Sequence, residues 1–208
     1  MITDIKTEEY ALLQGYRSRW QQAAFSLDPL DRDIAIETLD RAYSLTGYRK
    51  PTLFFFATPD RAIDYLGFPT TRTPLSLASL ITPIIEQVRA QFSPILWTHF
   101  WRRQGKMYAT ATSLAVTDPL LAVLQTEFGS KFPLPILQTI EMHGSAISDL
   151  AMLDFCMNVL GCTHTEPQLW QVVKSLIQDC FWHLAFEDIC IVFDRPMQYD
   201  ISCPQIAS

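Results

Sequence analysis

Leu53-Phe54-Phe55-Phe56-Ala57 and Ile189-Cys190-Ile191-Val192-Phe193 are two short continuous apolar runs lying more than 130 residues apart. Runs of this length, rich in aromatic and β-branched side chains and bounded by proline or charged residues, have the pattern of strands covered on both faces. Most of the remaining text repeats at helical period. The expected fold is therefore α+β and mostly helical, with seven to eight helices around a small sheet. In that sheet the strands at about 52–57 and 189–193 pair in parallel. Such pairing brings the segments near 58 and near 194 together, at the strand ends where α/β proteins commonly place function.

The helices follow outward from the first strand. Before it, Leu13, Tyr16, Trp20 and Ala24 give residues 6–25 an aromatic-bearing apolar stripe. Asp28-Pro29 has the pattern of a helix start for the face Ile36, Leu39 and Tyr43, and Gly47 ends that helix. After the strand, Thr58-Pro59 predicts a new start. Leu80, Ile81, Ile84, Ile85, Val88 and Phe92 predict another helix, which Pro83 should kink or restart. Ser93-Pro94 caps a helix to about Gln104, and Asp118-Pro119 starts a further one, while 107–117 fits either strand or helix. Pro133 to His143 forms a short helix ended by Gly144, Ile147 to Leu160 another, and Thr165 caps a last one through Phe181. No repeat or linker divides 1–208, so one globular domain is expected, with a short polar tail after about 199.

The chain has 208 residues, 49% hydrophobic and 18% charged, enough to bury about 70% of its unfolded surface. A net charge of −6 gives no general attraction to a phosphate backbone or an anionic membrane. Seven glycines, at 15, 47, 67, 105, 129, 144 and 161, are never closer than fifteen residues, which excludes the dinucleotide fingerprint and the P-loop. His99, His143, His164 and His183 are at least nineteen apart, so no helix offers two imidazoles one turn apart to zinc. There is no Gly-x-Ser-x-Gly elbow. No apolar run is long enough to span a bilayer and the opening is polar and charged, so a cytoplasmic location is expected.

Cys156, Cys162, Cys180, Cys190 and Cys203 are odd in number and contain no C-x-x-C pair, which favours reduced, buried thiols. The sharper alternative is a zinc site made by Cys162, His164, Cys180 and His183, since C-x-H followed by C-x-x-H supplies four ligands. No metal or cofactor is otherwise expected.

Two stretches resemble a family. Arg41 to Pro51 with the following strand and Thr58-Pro59, and Cys180 to Pro196, are similar to an uncharacterised bacterial domain family often found in proteins annotated with leucine-rich repeats. The matched segments are 41–59 and 180–196, the second with its aromatic-rich segment, acidic residue, Val-Cys-Ile-like strand and Arg-Pro. Thr58 stands where the family has Ser, and His183-Leu184-Ala185 where it has Trp and Pro. The resemblance implies a shared fold and carries no activity.

Two constellations are candidate sites. Trp182, His183, Glu187, Asp194 and Arg195, with Asp188, flank the second strand. There Arg195 suits an anion, Glu187 a base and His183 a proton shuttle, whereas the structural reading pairs Glu187 or Asp194 with Arg195 and puts Trp182 in the core. The second set is Trp97, Trp101, Arg102, Arg103 and Lys106, an aromatic and basic face suited to a partner protein. With no recognisable catalytic motif, enzyme status stays open. The expected function is a non-enzymatic cytoplasmic interaction or accessory module, bound to a protein partner or to a second copy. The alternatives are a small-molecule site or enzyme at the strand ends and, more weakly, a nucleic-acid accessory role.

Overall fold

A computed structural model describes residues 1–24, 26, 28–57, 59–66, 75, 78–101, 134–180 and 183–193. These form six complete helices, α1 (Thr7–Ala24), α2 (Arg32–Leu45), α3 (Pro59–Leu66), α4 (Ala78–Arg89), α5 (Leu134–Asn158) and α6 (Pro167–Cys180). Residues 94–101 are helical as well. Three strands, β1 (Thr52–Phe56), β2 (His183–Ala185) and β3 (Ile189–Phe193), make one sheet in the order β1-β3-β2. The arrangement is mostly helical α+β, as the pattern predicts. The expected helix at Asp118-Pro119, the ambiguous 107–117 stretch, the Thr58 cap and the tail after 199 lie outside the described residues.

β1 and β3 pair in parallel, Thr52 opposite Ile189 through Phe56 opposite Phe193, so their C-terminal ends do lie side by side. The cover on the two strands differs from expectation. β3 is central, with Cys190, Ile191 and Val192 buried. β1 is an edge strand whose four apolar residues are only half-buried. Its aromatic run is shielded locally instead, by Tyr65 of α3 at 4.7 Å from the Phe54 ring and 5.5 Å from that of Phe56. On the alternate position, the Arg32 guanidinium lies 4.9 Å over Phe55. β2 is not anticipated by the pattern, because three residues cannot display a period. It pairs antiparallel with β3, His183 opposite Val192 and Ala185 opposite Cys190.

Helix boundaries show which local signals won. α2 starts later than Asp28-Pro29: its cap is Asp31, whose carboxylate accepts from the N–H groups of Asp33 at 3.0 Å and Ile34 at 3.1 Å. α4 runs through Pro83 without a restart. α5 is one helix of 25 residues where two are expected, since Gly144 lies inside it. An interior glycine costs a helix about 1 kcal/mol, which packing of Ile147, Leu150, Leu153 and Phe155 outweighs. Thr165 does not cap α6, because its N–H and hydroxyl are both taken by the Gln87 side chain; the helix opens on Pro167 with Glu166 accepting the first bond, from Trp170 N–H.

α1 packs along α5 and α2 along α6, while α4 touches both α5 and α6. The buried face of α1 is Leu13, Arg17, Trp20 and Ala24, so the expected Tyr16 is displaced to the flank, edge-on to Phe155 at 6.0 Å. The α1–α5 contact includes a buried acid, Asp154. Its carboxylate accepts from Trp20 Nε1 at 2.9 Å, from Asn158 Nδ2 at 2.6 Å and from the Arg19 guanidinium. Three donors satisfy the charge that the apolar stretch around Asp154 would otherwise leave stranded.

Candidate functional site

α2, α4, α6 and β2 enclose a solvent-open groove of about 530 Å³, a size typical of ligand sites. α2 supplies Leu39, Ala42, Tyr43 and Leu45, α4 supplies Leu80 and Pro83, α6 supplies Leu169 and Leu176, and β2 supplies His183 and Ala185; Thr46, Tyr48 and Leu75 complete it. The end of α2 shapes the mouth. Gly47 adopts the left-handed region (φ 78°). This lets Gly47 N–H reach Ser44 O at 3.2 Å and Tyr48 N–H reach Tyr43 O at 3.0 Å, a Schellman stop. The Tyr48 ring thereby folds back edge-on to Tyr43, 6.4 Å away. Leu45 and Tyr48 remain 44% and 39% exposed on the rim.

The Tyr43 and Thr46 hydroxyls and His183 Nδ1 in the lining are already engaged. The Tyr43 hydroxyl donates to Phe186 O at 2.6 Å, has Ile189 O at 3.1 Å as a second acceptor, and accepts from Phe186 N–H at 3.1 Å. It thereby pins the β2–β3 turn to α2. Burial first, and then the nearby Cys190, push its phenol far above the usual range, so it stays protonated. His183 Nδ1 meets Cys180 O at 2.8 Å, and Thr46 Oγ1 donates back to Ala42 O or Tyr43 O at the helix end. The groove therefore presents ring faces and aliphatic side chains to an occupant.

His183 is the one residue of the strand-flanking constellation that the structure places at this groove. It is buried on β2. Glu187 and Asp188 sit exposed in the β2–β3 turn, at the opposite end of the hairpin from the His183–Val192 pair, so Glu187 and His183 are not brought together. Trp182, Asp194 and Arg195 lie outside the described residues. Near the C-terminal end of β3 is a smaller cleft of about 190 Å³, lined by Phe193, Asp28, Asp31 and Asp179 among others. Asp28 accepts from Ser26 and Asp31 caps α2, while burial, and then Asp31, raise the Asp179 carboxyl.

In the aromatic and basic set, Trp97 is 8% exposed and belongs to the core, wedged against Phe92 at 5.2 Å and stacked on Trp101 at 5.0 Å. Trp101 is half-buried over it, and Arg102, Arg103 and Lys106 lie outside the described residues. What that segment shows to solvent is Pro94, Ile95, Thr98 and His99. The four described cysteines are free and buried. The alternative zinc set is not assembled: among the described residues no three His, Cys, Asp or Glu side chains converge, and His183 turns to a backbone carbonyl.

Sequence reasoning missed the groove, since its walls come from four elements and its lining reads as ordinary core. The available signal was Tyr43-Ser44-Leu45-Thr46-Gly47-Tyr48, a helix stop whose apolar residues outnumber what one buried face needs. Comparison of the chain with protein-family models, curated proteins and solved structures finds no match. The family resemblance thus rests on residues 41–59 and 180–196 alone. Among the described residues, no helix is long and apolar enough to cross a membrane.

Proposed function

We propose that the chain is a non-enzymatic interaction module of the cytoplasm that receives an apolar helical segment of a protein partner in the α2–α4–α6–β2 groove. One observation carries the reading. Most side chains lining the groove are aliphatic or aromatic, the Tyr43 and Thr46 hydroxyls among them bond to backbone, and the apolar lining continues onto the rim through Leu45 and Tyr48. A small ligand sunk in the cavity would leave this rim exposed, whereas an amphipathic helix laid into the groove covers both. The Tyr43 hydroxyl is spent on Phe186 O and stays protonated, which argues against its acting as a base at this place.

The test is native mass spectrometry of the protein purified gently from its own host, as wild type and as Leu45→Arg. An arginine suits the last residue of α2, where the helix dipole favours a cation, so folding is kept while the rim gains a charge. A stoichiometric protein partner on wild type that is lost from Leu45→Arg supports the reading. Equal capture by both, or a bound small molecule in its place, overturns it.

A further inference from the structure

We propose that Cys156 and Cys162 form a reversible intramolecular disulfide that staples the end of α5 to the loop entering α6. The two residues are six apart, but Gly161 turns the chain back in the left-handed region (φ 70°). Cys162 N–H then donates to Cys156 O at 3.0 Å. A backbone bond of that length holds the two Cα atoms at roughly 5 to 6.5 Å, within the span that disulfides bridge. Both side chains are buried at this turn, Cys156 at 0% and Cys162 at 4% exposure.

The pair is unequally placed. Cys156 is fully buried in α5, whereas Cys162 lies in the loop beyond it with 4% exposure. Cys162 also lies between two exposed residues, Gly161 and Thr163. It is therefore the attacking sulfur. Its thiolate displaces one thiolate from a low-molecular-weight disulfide such as oxidised glutathione, giving a mixed disulfide. Cys156 then loses its proton, attacks the Cys162 sulfur and expels the second thiolate. Two protein thiols are oxidised and one external disulfide is reduced to two thiols. Cys180 and Cys190, both pushed up by burial, lack a comparable attacking group.

The staple closes beneath a docked loop. Gln91 bonds Thr163 through both its amide atoms, Nε2 to Thr163 O at 2.6 Å and Thr163 N–H to Oε1 at 3.0 Å, and Gln87 accepts from Thr165 N–H at 2.7 Å. Oxidation would fix covalently the α5–loop connection that the reduced chain makes through the Cys162 N–H to Cys156 O bond, while the same loop stays docked on Gln87 and Gln91.

The folded full chain is incubated with oxidised glutathione, quenched in acid, unfolded, alkylated and digested with trypsin. The peptide bounded by Lys131 and Lys174 contains both cysteines and none of the others. It is expected about 2 Da lighter than its reduced form and closed to alkylation, with both properties reversed by dithiothreitol. Cys156→Ser should instead trap a glutathione adduct on Cys162. Full alkylation of both cysteines in that peptide after oxidant treatment, or a cross-link found in the peptide after Lys174, overturns the proposal. Should the variant fail to fold, the wild-type map decides alone.

Discussion

Replacing Tyr43 by phenylalanine isolates the contact that fixes the β2–β3 turn against the groove wall. The ring stays, so packing of Leu39, Ala42 and Tyr48 around it is unchanged, and only the hydroxyl is lost. Its three backbone neighbours fare differently. Phe186 N–H keeps a bond to Ile189 O at 2.9 Å, so both of those groups remain paired. Phe186 O, held at 2.6 Å by the hydroxyl in a residue 1% exposed, loses that donor. The net worth of one hydrogen bond plus an orphaned buried carbonyl is about 2 kcal/mol. For a chain of this size that corresponds to a fall in Tm of about 6 °C. Urea unfolding should show a lower midpoint at unchanged slope, and amide exchange should speed up at Leu184 and Phe186 ahead of the rest of the sheet. A loss below about 0.5 kcal/mol, or an effect spread evenly over all amides, would refute the assignment of the hydroxyl as the turn's anchor.

Three further outcomes follow from particular residues. Burial raises the Asp149 carboxyl from 3.8 to about 7, so the fold favours its neutral form. This group's contribution is full below the unfolded value, falls as pH rises toward 7, and is absent above. Asp149→Asn should therefore be more stable than wild type at pH 8 by up to about 4 kcal/mol and nearly equal at pH 3.5, read from the difference between two urea-stability curves. A difference that does not change with pH would contradict this. Asp154→Asn should lose about 2 kcal/mol, because the charge-assisted bonds from Trp20 and Arg19 weaken together; a double-mutant cycle with Trp20→Phe should then show coupling, and strict additivity would mean the bond carries nothing. Leu45→Arg should change Tm by under about 2 °C while abolishing partner capture, and a large loss of Tm would show that Leu45 belongs to the core.

Much of the fold was legible because its signals are local and strong. Two apolar runs had the pattern of buried strands, and their separation by helices made parallel pairing the economical choice, as the Thr52–Ile189 register shows. The helix stop at Gly47 was equally plain. The errors have physical sources. Asp28-Pro29 and Asp31 are both plausible starts for α2, and Asp31 won by accepting two backbone N–H groups. Gly144 reads as a stop, yet the apolar face after it keeps the same helical phase and carries α5 onward. Thr165 reads as a cap, but a side chain more than seventy residues away, Gln87, takes its hydrogen bonds. β2 is too short to leave a pattern and exists only because β3 offers it an edge.

The site was less legible for a related reason. Trp97 belongs to an aromatic and basic cluster in the sequence, but helical geometry turns it inward onto Phe92 and Phe100. Glu187 and His183 are four residues apart in sequence and separated by the hairpin in space. The groove could not be read at all, since it is a space left between side chains that each look like core. The role of Asp154 in the α1–α5 contact was not legible either, since two of its three donors, Trp20 and Arg19, lie more than 130 residues away.

The most direct test of the groove as a recognition surface is selection from a displayed library of helix-forming peptides on the wild-type protein, with counter-selection on Leu45→Arg. Enriched peptides should carry apolar residues at helical spacing along one face, bind wild type at least about tenfold more tightly than the variant, and chemically shift Leu39, Ala42 and Leu176 in the NMR spectrum. Peptides that bind both proteins equally, or that shift residues away from α2 and α6, would contradict the account.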